Sequence, residues 1–155
     1  MTIITQDHLS PLQKEAALRI WNKEYPQRLV MSAMEPFDEF LDSITDKTHY
    51  LLLTGHREIA GWAAAFMAGP VRSFFIMVDG SYQGKGYGTL LLNQIKKDNH
   101  KLFAWAIDHD QDFKLDGTRY PSPIAFYLKN GFTVNNDLRL ENELLSAVNI
   151  LWQKG

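Results

Sequence analysis

Apolar positions along this chain switch between two spacings, and each switch marks a change of element. After Pro36, Phe37, Phe40, Leu41 and Ile44 recur at i, i+3, i+4 and i+7, which predicts a helix with one buried stripe. Tyr87, Leu90, Leu91 and Ile95 recur at helical spacing too, and Lys96 and Lys97 follow where cations suit the helix dipole. Between these helices lie three strand-like runs, Tyr50 to Thr54, Ile59 to Met67 and Ser73 to Val78. The turn Gly55-His56-Arg57-Glu58 separates the first two, so the three predict an antiparallel meander.

The flanking segments carry sharper local signals. Ile3 to Thr5 predicts a short first strand. In Ser10-Pro11-Leu12-Gln13, Ser10 reads as an N-cap, Pro11 as the first helical residue and Gln13 as the partner in a capping box. The helix they open runs to about Tyr25, where Pro26 disfavours helical geometry. Downstream, Leu102 to Ile107 reads as a buried strand. Ser122-Pro123 opens a short helix that Asn130-Gly131 closes through a left-handed cap, and Phe132 to Val134 and Ala147 to Trp152 read as terminal strands. The order predicts an α/β (α+β) fold: a mixed, mostly antiparallel sheet flanked by about four helices. No repeat or linker interrupts it, so residues 1–155 are expected to form a single domain.

Composition narrows the function classes. No stretch approaches the ~18 apolar residues of a membrane helix. Residues 1–7 have no basic region before an apolar run, so the expectation is a cytoplasmic protein without a membrane partner. Zero cysteines exclude disulfides, thiolate catalysis and cysteine metal sites. A net charge of −2 with dispersed lysines and arginines points away from nucleic acid, although backbone amides can still hold a small anion. The five histidines are scattered, and only Asp108-His109-Asp110 places ligand types together; consecutive residues rarely converge on one ion, so no metal is expected.

The strongest chemical signal is Val78-Asp79-Gly80 followed by glycines at 84, 86 and 88 and then a helix. Glycines let backbone approach an anion, and a helix N-terminus aims unpaired N–H groups at it. Two well-known phosphate loops fail on spacing. The NTPase loop needs four residues between its first glycine and Gly-Lys, whereas Gly80 and Gly84-Lys85 enclose three. The dinucleotide fingerprint needs a third glycine where Thr89 or Leu91 stands.

Gln83-Gly84-Lys85-Gly86-Tyr87-Gly88 resembles instead the pyrophosphate loop of the GNAT acetyltransferase superfamily: Gln or Arg, two residues, Gly, one residue, Gly or Ala. Met77-Val78-Asp79-Gly80 is similar to the strand end before that loop, with Gly for the usual Pro. Phe126-Tyr127-Leu128-Lys129-Asn130-Gly131-Phe132 looks like the family's second signature, a tyrosine-bearing helix running into Gly-Phe. The resemblance departs at Tyr120, where the family often has an asparagine.

The resemblance implies an N-acetyltransferase with acetyl-CoA as cosubstrate and a primary amine of a small molecule, peptide or protein as acceptor. It implies cofactor binding by Met77, Val78, Gln83, Gly84, Lys85, Gly86, Tyr87, Gly88 and Thr89, with the Val78 N–H donating to the thioester oxygen. Tyr127 is the expected acid for the departing thiolate. The strands Tyr50 to Thr54, Ile59 to Met67 and Ser73 to Val78 carry no carboxylate, so the candidate base is Asp108, with His109, Glu24 and Glu35 behind it and a water relay as another route. Trp21 and Tyr25 are candidates to line the acceptor pocket. The state is open between monomer and homodimer, and an acyl-CoA sensor without turnover stands as the alternative function.

Overall fold

The computed structural model describes residues 1–155. Thr2–Gln6 (β1), Thr45–Leu53 (β2), Ile59–Ala68 (β3) and Val71–Val78 (β4) form an antiparallel sheet in chain order. Lys101–Ile107 (β5), Thr133–Glu141 (β6) and Ser146–Gln153 (β7) form a second antiparallel sheet in the order β5-β7-β6. The helices are Pro11–Glu24 (α1), Met34–Ser43 (α2), Tyr87–Asp98 (α3) and Ile124–Lys129 (α4). The expected mostly antiparallel sheet and four helices are present, and the sheet divides in two. Strands β4 and β5 pack against one another with no ladder between them. No helix is long and apolar enough to cross a membrane.

Local chemistry explains the first helix. Ser10 Oγ accepts from Gln13 N–H at 3.2 Å while Gln13 Oε1 accepts from Ser10 N–H at 2.9 Å, the reciprocal capping box. At the other end Tyr25 is extended, as a residue before proline prefers.

Alternation in the central strands sorts the core into two layers. From β2, Tyr50 and Leu52 face a cluster with Leu91, Leu92 and Ile95 of α3 and Leu102 and Ile150 of the second sheet. Leu51 and Leu53 face the opposite cluster, with Ala17, Ile20 and Trp21 of α1, Phe37 and Leu41 of α2, and Trp62. Burial on both faces is why this run is continuously apolar.

The structure extends two strands beyond their apolar signal. The polar stretch from Thr45 lengthens β2, because the backbone ladder to β3 does not require apolar side chains. Strand β6 runs on to Glu141 at the open edge of the second sheet, mostly exposed and so without readable alternation.

The turn-rich stretch between β5 and α4 is a hairpin. Tyr120 N–H donates to Asp112 C=O at 2.9 Å and Lys114 N–H to Thr118 C=O at 2.7 Å, with Gly117 at φ +88° in the turn. Gln27 N–H donates to Phe113 C=O at 2.7 Å, docking the hairpin on the chain just after α1.

Candidate functional site

The end of β4 presents an unpaired amide to the gap between the sheets. Asp79 N–H donates to Ala60 C=O at 2.8 Å, and Val78 lies opposite Gly61. Paired and unpaired positions alternate in an antiparallel ladder, so the N–H and C=O of Val78 point away from β3 and toward β5. The Val78 carbonyl accepts from Gln83 Nε2 at 2.7 Å. Its N–H faces the side where no ladder forms.

The glycine loop continues this row of free donors. Asp79 Oδ1 accepts from Ser81 N–H at 2.9 Å and opens a short 3₁₀ turn, Gly80–Tyr82. Beyond it, none of the backbone N–H groups from Gly84 to Thr89 has an acceptor in the protein; the first bond of α3 is Leu90 N–H to Gly86 C=O at 3.1 Å. Gly86 is the N-cap, no side chain caps the helix, and its first turn carries no acidic residue. Gly84 and Gly86 have φ +76° and +85°, a region that favours glycine, and a Cβ on either would meet open space. Consecutive free amides at a helix start form a cradle suited to an anion.

The glycine-loop residues divide by task. A Cβ at Gly88 would lie 3.2 Å from the Phe126 ring, so this glycine also admits close packing of α3 on α4. The Gln83 side chain turns inward to Val78 and Glu24 rather than into the cradle. Lys85 is exposed and makes no ion pair, and Thr89 is half-buried in the first turn of α3.

Helix α4 carries Tyr127 into the core cluster that also holds Phe74 and Val78 of β4. It is 8% exposed, with its ring against Phe74, Phe126 and Phe132 at centroid distances of 5.8, 5.2 and 5.3 Å. Its hydroxyl is not sealed off with an unmet hydrogen bond. Burial, and secondarily the neighbouring Tyr120, push the phenol well above its ordinary pKa. Burial and then Asp112 push Tyr120 up to about 12. Tyr25 meets Tyr120 edge-on at 6.4 Å, and burial raises it too. Three tyrosines from α1's end, the hairpin and α4 thus gather here; Tyr120, a departure from the motif in sequence, is one of them.

Asp108 sits just past β5, as the sequence places it, but a bidentate ion pair occupies it. Arg139 donates to its two oxygens at 2.8 and 3.0 Å, and this guanidinium holds the carboxyl below the usual carboxylate range. A carboxylate so stabilised is a weak base. The ring of His109 accepts from Gln111 N–H through Nδ1 at 3.1 Å and has Nε2 3.9 Å from Asp112. Glu35 is exposed in the first turn of α2. Glu24 is buried at 5% exposure and already holds the Gly80 N–H at 2.7 Å. Sequence reasoning missed Asp112, buried at 6% exposure and paired with Arg28; a long-range partner inside an irregular loop leaves no periodic signal.

Comparison with known proteins bears on the family and the fold. The model of the acetyltransferase (GNAT) domain matches residues 46–134, more than half of the chain. No curated protein matches in sequence. An aminoglycoside 6'-N-acetyltransferase complexed with coenzyme A has the same fold, with a TM-score of 0.73 at 16% identity over 99% of this chain and 97% of that one. A ribosomal-protein-alanine N-acetyltransferase from Brucella melitensis gives 0.69 at 15% identity, covering 99% and 100% of the two chains. A spermidine N-acetyltransferase variant from Vibrio cholerae gives 0.66 at 13% identity, covering 99% and 95%.

Proposed function

Because this chain belongs to the GNAT acetyltransferase domain family, we propose that it transfers an acetyl group from acetyl-CoA to a primary amine by direct attack on the thioester, residues 1–155 acting as one unit. The observation that carries this reading is the set of free amides, the Val78 N–H on the unpaired side of β4 and those of Gly84 to Thr89 at the start of α3. Acetyl-CoA supplies the activated acetyl group when bound. The amides of Gly84, Gly86 and Gly88 would hold its pyrophosphate, with Lys85, Gln83, Tyr87 and Thr89 completing the loop and Met77 and Val78 at the thioester end.

The chain's own residues then have distinct tasks. The Val78 N–H is a fixed donor for the oxygen that gains negative charge as the amine attacks, and such preorganised donors act most strongly where water is excluded. Tyr127 delivers a proton to the departing thiolate. Burial keeps its phenol protonated across the working range, so the proton is in place when the thiolate leaves. Asp108, held by Arg139, does not take the amine's proton in this reading; bulk or bridging water does.

The acceptor is an amine on a small molecule, peptide or protein. The neighbours named above act on amines of these kinds, and the tyrosine-lined side of the gap between Tyr25 and Tyr120 is the proposed place for it. The purified chain mixed with acetyl-CoA and a panel of amines should release free thiol with at least one of them. Tight binding of acetyl-CoA with no thiol release on any amine would favour a sensor over an enzyme.

A further inference from the structure

Three segments distant in sequence meet at the carboxylate of Glu24, the last residue of α1. Oε2 accepts from Gly80 N–H at 2.7 Å, and Oε1 accepts from Gln83 Nε2 at 3.3 Å and from Lys114 Nζ at 3.1 Å. The same Gln83 nitrogen donates to the Val78 carbonyl at 2.7 Å. Gly80 approaches so closely that a Cβ there would lie 3.3 Å from Oε2. With three donors on its two oxygens and 5% exposure, Glu24 is committed to these contacts rather than to proton transfer. Hydrogen bonds to a charged group are the strong ones, and a buried donor stripped of its acceptor carries the full desolvation cost.

We propose that Glu24 is a positioning residue of the transferase, an inference that rests on the N-acetyltransferase reading above. Through Gly80 and Gln83 it fixes the backbone on both sides of the turn leaving β4, and so aims the Val78 N–H and sets the root of the glycine loop. Through Lys114 it links that geometry to the hairpin, so that the hairpin's position is felt in the affinity for acetyl-CoA. A purely structural Glu24 would change the amount of folded protein and leave the folded molecules with unaltered constants.

The test compares Glu24→Gln, Lys114→Met and the double variant by calorimetric titration with acetyl-CoA and by initial rates on a reactive amine. The amide introduced by Glu24→Gln would still accept from Gly80 but would set its own NH₂ against the donors of Gln83 and Lys114. Folded E24Q should lose ~10–100-fold in kcat and ~10-fold in acetyl-CoA affinity, the scale of a hydrogen bond to a charged group. K114M should weaken acetyl-CoA binding ~3–10-fold alone and add little to E24Q, because partners in one network are not additive. Folded E24Q with native kcat and affinity would overturn the proposal, as would K114M exerting its full factor in the double variant. If E24Q does not fold, Gln83→Met decides, since it cuts the link to Val78 without stranding a charge: a matching loss in kcat supports the proposal and native kcat overturns it. Native protein that fails to bind acetyl-CoA would overturn the transferase reading itself, before any variant is compared.

Discussion

At the scale of single residues, Tyr127 bears the most specific expectation. Its ring is packed among Phe74, Phe126 and Phe132, so Tyr127→Phe keeps the packing and removes only the hydroxyl. The kcat should fall ~100-fold, within the range for general acids, while calorimetry finds acetyl-CoA affinity unchanged. An unchanged kcat would return this tyrosine to the core. Because burial keeps the phenol protonated, the variant should retain the shape of the native pH–rate profile, whose rise with pH belongs to the acceptor amine losing its proton.

At the scale of elements, the contact between α3 and α4 is set by a missing side chain. A methyl at Gly88 would press on the Phe126 ring at 3.2 Å, so Gly88→Ala should cost about 1–3 kcal/mol in urea unfolding. Adding Phe126→Leu should recover part of that loss. If Gly88→Ala unfolds at the native urea concentration, the contact has relaxed without cost. What was readable from sequence follows the range of the forces involved. The capping box at Ser10 and Gln13, the glycine loop and the left-handed Gly131 are local devices, and each is found where its residues stand. The separation of β4 from β5 depends on pairing between distant segments, as do the docking of the hairpin on Gln27 and the closure of Arg139 on Asp108. None of these has a period or a spacing. Asp108 read as available for that reason: it stands where an apolar run gives way to polar residues, and its partner lies 31 residues away.

At the scale of the whole molecule, the two-sided burial of the first sheet has a consequence for pH. His49 on β2 is fully buried; its Nδ1 accepts from Trp62 Nε1 at 3.1 Å, and its Nε2 has no partner. Burial, then Lys47 and His8, lower its pKa to about 4, with Asp7 opposing. The unfolded chain takes up this proton below ~6.5 and the folded chain refuses it, so stability is complete above that pH and declines as pH falls toward 4. The full window is worth on the order of 3 kcal/mol. Urea unfolding at pH 7 and pH 5 should show the native protein losing stability that His49→Gln, which keeps an acceptor for Trp62, does not lose. Equal losses in both would assign the effect to other groups.

The gap between the sheets also bears on how the chain stays out of trouble. A strand edge with open amides on the outside of a protein invites other polypeptides and seeds aggregation. Here β4 and β5 turn such edges toward each other, in the interior of one molecule. The missing ladder therefore leaves two open edges facing one another, where neighbouring polypeptides do not meet them.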